Sequence, residues 1–148
     1  MARYPLLVTL ALLALVWLID LLLPTPLGIW WFQWLGLTLL LAGGLLLIVA
    51  AGVFQARGTT VDPTRDPDLL VTDGLYRLSR NPMYLGMLLT LVGFALWRDA
   101  WLALLCPLAF FLYMDRVVIP REDQRVAALF TEQFDSYRQR TRRWIGCH

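Results

Sequence analysis

The sequence has no lysine, and its only histidine, His148, is the last of its 148 residues. Without a histidine inside the chain, catalysis by an imidazole base, haem ligation and most zinc sites are nearly excluded. The two cysteines, Cys106 and Cys147, lie in an apolar stretch and in a polar tail, so they are not expected to meet. Neither belongs to a metal or redox spacing. We therefore predict a protein without a metal site.

Charge is scarce as well, because only 16% of the residues are charged and the net charge is +2. All 13 basic residues are arginines interleaved with acids, so no nucleic-acid partner is predicted. By contrast, 59% of the residues are hydrophobic and the mean hydropathy is +0.61, more than a soluble globule carries. The predicted partner is the lipid bilayer, and the length indicates a single domain over residues 1–148.

Four apolar stretches follow one another along the chain: Pro5–Leu23, Trp30–Phe54, Met83–Trp97 and Trp101–Met114. The first two are long enough to span a bilayer, whereas the last two have about 15 residues each, fewer than the roughly 20 of a straight span. Interfacial flanking residues or a locally thinned bilayer can accommodate the short ones. We interpret them as a tight helical hairpin that turns at Arg98 and Asp99.

The polar tail predicts one amphipathic helix from Glu122 to Arg143. Its apolar residues recur at spacings of three and four: Val126, Leu129, Phe130, Phe134 and Tyr137. Such a helix packs on a cytoplasmic loop or lies on the headgroups. The predicted fold class is therefore all-α: an integral membrane protein with about four transmembrane helices plus a C-terminal amphipathic cytoplasmic helix.

Arginine and tryptophan positions predict the orientation. Arg98 is the only arginine in a turn that this fold places outside, while the others, including Arg3 and Arg65, fall on the opposite side. This is the positive-inside pattern, so both termini are expected in the cytoplasm and the chain in the cell (inner) membrane. Six tryptophans near the outer ends form the expected aromatic belt: Trp17, Trp30, Trp31, Trp34, Trp97 and Trp101.

The second apolar stretch carries a stripe of small residues: Gly36, Gly43, Gly44, Ala50, Ala51 and Gly52. Small residues let neighbouring membrane helices approach closely, so packing within the molecule is favoured over a lipid groove or a dimer face. The oligomeric state is left open.

The segment from Asp73 to Gly86 sets several polar side chains directly before the third apolar stretch. Asn81 can cap a helix and Pro82 suits its first turn, so a helix is predicted to begin here with its positive dipole end at the membrane surface. Such a place receives an anion well, for example the carboxylate of a small ligand. The candidate ligand-binding residues are Tyr76, Arg77, Arg80, Asn81, Tyr84 and Glu122.

The side-chain chemistry of two of these candidates indicates how each could bind a ligand. Arg80 can hold a carboxylate with two parallel hydrogen bonds, and the Tyr84 ring can face a cation. A helical turn would align Tyr76 with Arg80 and Arg77 with Asn81. The alternative is an ordinary membrane boundary, where arginine and tyrosine are enriched anyway.

A resemblance favours the site. The residues from Tyr76 to Gly86, preceded by Gly74, resemble Gly-Pro-Tyr-Arg-x-x-Arg-His-Pro-x-Tyr-x-Gly. That is the signature of the isoprenylcysteine carboxyl methyltransferase and phospholipid methyltransferase family of integral membrane methyltransferases. The second motif of the family, an acidic pair followed by aromatic residues and an arginine, is matched in order by Glu122-Asp123, Phe130, Phe134, Tyr137 and Arg143-Trp144-Ile145.

The chain departs from the family pattern at three positions. Asn81 stands where the family usually has histidine, Leu75 where it has proline and Thr131 where it has glycine. The first change matters most, because that histidine is expected at the cofactor site. Asparagine can still hydrogen-bond a cofactor, but it cannot act as a general base.

The resemblance implies methyl transfer from S-adenosylmethionine to a lipophilic or amphiphilic acceptor, whose reactive group is a carboxylate, a thiol or an amine. It implies an N-terminal helical hairpin over residues 1–54 and a cofactor-binding core over 55–148. Three residues would be catalytic: Arg80, Asn81 and Glu122. The cofactor-binding set would add Tyr84 at the sulfonium or adenine, with Tyr76 and Arg143 as weaker candidates. Arg77 would meet the charged head of the acceptor.

Two other readings stay open. Membrane sterol reductases carry a similar Arg-His-Pro-x-Tyr-x-Gly segment and use NADPH, although they are longer and have more spans. The exchange of histidine for Asn81 is also compatible with a membrane scaffold or ligand-binding protein that has lost catalysis.

Overall fold

The computed structural model describes residues 5–57 and 69–146, and helices form the regular structure of this part of the chain. The helices are α1 (Pro5–Leu22), α2 (Trp30–Ala56), α3 (Pro82–Trp97), α4 (Leu102–Leu129) and α5 (Thr131–Arg140), with a 3₁₀ turn at Gly74–Arg77. The all-α membrane fold is confirmed. Arg3, Arg65, Cys147 and His148 lie outside the described residues.

The apolar helices match the expected spans closely at three of the four positions. Within the described residues, α1, α2 and α4 are long and apolar enough to cross a membrane, and α3 is a shorter apolar helix of 16 residues. The fourth helix differs, because it does not stop near Met114 but continues to Leu129. Its middle, Met114–Val118, is a π-helical turn. The acidic pair Glu122-Asp123 therefore lies on an extension of the last apolar helix.

Helix α2 packs along α3 through two pairs of glycines. A Cβ on Gly36 would lie 2.2 Å from the backbone nitrogen of Trp97, and one on Gly93 would lie 2.3 Å from that of Leu40. Gly43 and Gly86 approach each other in the same way. The backbones can come this close only because no side chain stands between them.

These contacts explain part of the small-residue stripe. Gly36 and Gly43 pack within the molecule, as favoured from the sequence, whereas Gly44 and Gly52 have no such neighbour. Helix α1 packs instead on α3 and α4. The division into residues 1–54 and 55–148 stays a prediction.

The expected turn at Arg98 and Asp99 is present at the C-terminal end of α3. The Asp99 carboxylate is buried and accepts hydrogen bonds from the Gly28 backbone N–H at 2.8 Å and from Trp101 Nε1 at 2.9 Å. Arg98 Nε donates to Asp20 at 2.8 Å. The two loops at this end are thereby joined, among the exposed tryptophans of the expected belt.

The single C-terminal helix expected from Glu122 to Arg143 is wrong in its bounds, because the chain bends at Phe130 (φ −132°, ψ 48°). Helix α4 ends before it and α5 begins after it. The bend lets Phe134 and Tyr137 of α5 pack on Val71 and Tyr76, and these four residues form the buried core of a cap at the N-terminal end of α3. Local periodicity does not register the break, since the apolar spacing continues through it.

Candidate functional site

The start of α3 and the acidic pair of α4 converge on one site. Tyr84, one turn into α3, donates its hydroxyl proton to Glu122 Oε1 at 2.6 Å. Arg80, just before α3, donates from Nη1 to Asp123 Oδ2 at 3.3 Å. The structure therefore brings Arg80 close to the acidic pair, while the binding of a ligand by Arg80 and Glu122 stays a prediction. The direct partner of Arg80 is the second acid of the pair, which the sequence reasoning did not single out.

Helix α3 begins where the proline predicts. Pro82 occupies the first turn and Asn81 the N-cap position, but the Asn81 side chain makes no capping hydrogen bond. Its Nδ2 donates instead to the Arg143 carbonyl at 3.1 Å. The expected helical alignment of Tyr76 with Arg80 is also wrong, because the 3₁₀ turn ends at Arg77 and α3 starts only at Pro82.

The C-terminal segment 142–146 binds alongside residues 78–81. The Arg80 backbone N–H donates to the Arg142 carbonyl at 3.1 Å, and the Gly146 N–H donates to the Leu78 carbonyl at 2.8 Å. The Ser79 hydroxyl accepts from the Asn81 N–H at 3.1 Å. The loop that carries Arg80 is therefore tied to the C-terminal segment by two backbone hydrogen bonds.

Asp115, in the π-helical turn of α4, ties the same segment to the helix bundle. Its Oδ1 accepts from Arg143 Nη1 at 3.0 Å and from Trp144 Nε1 at 2.9 Å. Arg143 Nη2 also lies 3.7 Å from Asp123 Oδ2. Sequence reasoning missed Asp115, although an acid next to a span is itself a signal of a polar contact. Arg143, a predicted cofactor ligand, is thus engaged by two acids.

Arg80 has unused hydrogen-bonding capacity. Its side chain is only 8% exposed, and its buried Nε has no hydrogen-bond partner among the described residues. Its guanidinium carbon lies 5.7 Å from the centroid of the Phe134 ring. The buried hydroxyl of Tyr76 also has no hydrogen-bond partner within residues 5–57 and 69–146. Because buried polar atoms are nearly always paired, these two unpaired atoms make this place a candidate ligand site.

Tyr137 closes the site on the side of α5. Its hydroxyl donates to the Tyr76 carbonyl at 2.5 Å. Burial raises the pKa of Tyr137 above its ordinary value; nearby Arg80 lowers the pKa and Asp123 raises it, both to a lesser extent. The raised pKa keeps the Tyr137 hydroxyl protonated, and so able to donate, to a higher pH than that of an exposed tyrosine.

A cavity of about 710 Å³ lies on the other side of Tyr137, between α5 and residues 70–77. Its polar lining includes Thr72, Arg77, Glu132, Ser136, Tyr137 and Arg140. Of the predicted site residues, Arg77 lines it, whereas Arg80, Asn81, Tyr84 and Glu122 do not. The site thus has two neighbouring parts. One is the polar cluster of Arg80, Tyr84 and the acidic pair, and the other is the cavity beside α5, which Tyr137 lines.

Comparison with known proteins decides the family. A sequence model described as phospholipid methyltransferase matches residues 31–133, which is well over half of the chain and includes the first motif and the second motif as far as Phe130. The chain belongs to the phospholipid methyltransferase family. It is also 35% identical to an uncharacterized protein of Haemophilus influenzae over 63 residues, which are 43% of this chain and the whole of that protein.

Family membership confirms the resemblance seen in the motifs and indicates a methyltransferase of membrane lipids. Methyltransferases of this family generally use S-adenosylmethionine. In this family member, the matched region runs from the start of α2 through the cluster around Arg80 and the acidic pair of α4. The apolar helices and the family together indicate a membrane protein.

Proposed function

We propose that this chain transfers a methyl group from S-adenosylmethionine to a lipophilic or amphiphilic acceptor at the cytoplasmic face of the cell membrane. The observation that carries the proposal is the convergence of Tyr84 and Arg80 on the pair Glu122-Asp123. Family membership supports the reaction type. The arginine pattern supports an orientation with both termini in the cytoplasm.

The donor set of the site fits the amino-acid end of this cofactor. The unpartnered Arg80 Nε offers a carboxylate a second donor beside the terminal nitrogens of the guanidinium, the geometry of a bidentate pair. The Glu122 carboxylate suits an ammonium group or ribose hydroxyls. The Tyr84 hydroxyl bonds one oxygen of Glu122 and fixes the orientation of the carboxylate.

S-adenosylmethionine supplies an electrophilic methyl group, which an acceptor lone pair attacks in line while the carbon–sulfur electron pair stays on sulfur. The task of the protein is then to align and desolvate the reactants. Arg80 and Glu122 would hold the two charged groups at one end. Asn81 would hydrogen-bond the cofactor and cannot remove a proton. The acceptor should therefore react as a carboxylate, a thiolate or an already neutral amine.

Other predicted residues act less directly in this proposal. Arg143 is held by Asp115 and Asp123, and its carbonyl accepts from Asn81, so it positions the site. Tyr76 offers its unpartnered hydroxyl. The cavity beside Tyr137 is the proposed place for the charged head of the acceptor, because Arg77 and Arg140 line it.

Titration of the purified protein in detergent separates this proposal from its alternatives. Calorimetry should show binding of S-adenosylmethionine and no binding of NADPH. Binding of NADPH alone would support a reductase. A folded protein that binds neither would support a scaffold without cofactor, and either result would overturn the proposal.

A further inference from the structure

Asp123 is the residue of the acidic pair to which the motif comparison gives no separate role, yet it pairs with Arg80. The distance from Arg80 Nη1 to Asp123 Oδ2 is 3.3 Å, longer than the roughly 2.7–2.9 Å of a strong charge-assisted hydrogen bond. The pairing uses one of the five N–H donors of arginine and leaves the buried Nε without a partner. Asp123 therefore holds the Arg80 side chain through one long ion pair and leaves the Nε donor unused.

Asp123 also has a second cation nearby. Arg143 Nη2 lies 3.7 Å from the same oxygen that Arg80 contacts. A small movement of the carboxylate toward Arg143 would release Arg80 without leaving the Asp123 charge alone. The Asp123 side chain is 18% exposed, so water reaches it and eases such a movement.

We propose that Asp123 is a built-in stand-in for the carboxylate of the ligand: it pairs with Arg80 while the site is empty and moves to Arg143 when a ligand carboxylate arrives. This inference rests on the proposed function. A buried arginine without a counter-ion is costly, so the stand-in keeps the Arg80 loop intact in the empty protein. It also makes binding selective, because only a ligand that brings its own carboxylate replaces the lost pair.

Two ligands that differ only in the carboxylate test the proposal by calorimetry. S-adenosylhomocysteine carries it, and the decarboxylated analogue S-adenosyl-3-thiopropylamine lacks it. In Asp123→Asn the competing charge is gone while the shape is kept. Its affinity for S-adenosylhomocysteine should rise about tenfold over wild type, while its affinity for the decarboxylated analogue should not rise. Asp135→Asn, an exposed acid on α5, is the matched control and should change neither.

Unchanged or weaker binding of S-adenosylhomocysteine by folded Asp123→Asn would overturn the stand-in role. Binding of this ligand by wild type in the same experiment would leave the proposed function standing. If wild type bound neither ligand, the proposed function would fail first and this inference with it.

If Asp123→Asn does not fold, Arg143→Gln tests the same proposal, with the opposite expected change in affinity for S-adenosylhomocysteine. Without its second cation, Asp123 should stay on Arg80, so S-adenosylhomocysteine should bind more weakly while the decarboxylated analogue is unaffected. An equal loss for both ligands would mean a merely structural role and would overturn the inference.

Discussion

Tyr84 joins α3 to α4 at the site through its 2.6 Å hydrogen bond to Glu122. The tyrosine is buried, so its ring packs in the helix core while its hydroxyl reaches the polar cluster. One residue thereby links the membrane core to the proposed ligand site. A mutation can test the contribution of the Tyr84 hydroxyl separately from that of the ring.

Tyr84→Phe removes the hydroxyl and keeps the ring. Because a hydrogen bond to a charged group contributes about 1.5–3 kcal/mol, affinity for S-adenosylhomocysteine should fall by about tenfold or more, with the fold preserved. Calorimetry together with a thermal melt checks this. Tyr113→Phe, an exposed tyrosine on α4, is the control. Equal affinity in wild type and Tyr84→Phe would show that the Tyr84–Glu122 bond plays no part in binding.

The two buried tyrosines of the cap give a prediction for alkaline pH. Burial raises the pKa of both Tyr76 and Tyr137 above the ordinary value of 10.0. The unfolded chain then ionises first, so the stabilisation is complete below pH 10 and is lost as the pH rises above it. Because the sequence has no lysine, few other side chains change charge in that range.

Thermal melts from pH 8 to pH 11 measure this loss. Wild type should lose stability above pH 10, and Tyr137→Phe, less stable at pH 8, should lose less as the pH rises. Parallel curves for the two proteins would contradict a buried, protonated Tyr137.

At the scale of helices, the close contact of α2 with α3 depends on four glycines, each of which has only a hydrogen atom in place of a side chain. An added methyl group at Gly93 would meet the backbone of Leu40 rather than a flexible side chain. Neither helix can yield locally, so the whole pair must separate.

Gly93→Ala should therefore lower the free energy of unfolding by about 1–3 kcal/mol or prevent folding. Gly44→Ala is the matched control on α2, because a Cβ there meets no neighbour and alanine favours the helix by about 1 kcal/mol. Unfolding in detergent measures both variants. If Gly93→Ala kept the wild-type free energy of unfolding and Gly44→Ala lowered it, the helices would pack through another face.

The elements differ in how far the sequence predicts them. The apolar stretches and the start of α3 at Pro82 depend on local composition, so the pattern alone predicts them. The bend at Phe130 depends on the packing of α5 over Val71 and Tyr76, which no local spacing reports. Which acid of the pair faces Arg80 depends on the rotation of α4, and the π-helical turn at Met114–Val118 departs from the regular helix that a sequence pattern assumes. For this reason the acidic pair was predictable and the partner of Arg80 was not.

At the scale of the whole molecule, the two ends of the bundle have different tasks. The end that carries the turn after α3 is closed by Asp99, which joins two loops, and by the Arg98–Asp20 pair, which joins that turn to α1; none of these is a motif residue. The opposite end carries the motif residues, the unpartnered atoms of Arg80 and Tyr76, and the cavity beside Tyr137. Ligand binding is thus expected to depend on the end with the motif residues, whereas contacts at both ends contribute to stability.

The most direct measurement of methyl transfer uses membranes that contain the protein and S-adenosylmethionine with an isotope-labelled methyl group. Mass spectrometry of the extracted lipids should show the label in a lipid-soluble acceptor with wild type and with Arg138→Ala, an exposed arginine on α5 outside the site. Arg80→Ala should abolish the labelling. A folded wild-type protein that leaves every lipid unlabelled, or labelling that persists in Arg80→Ala, would contradict the account.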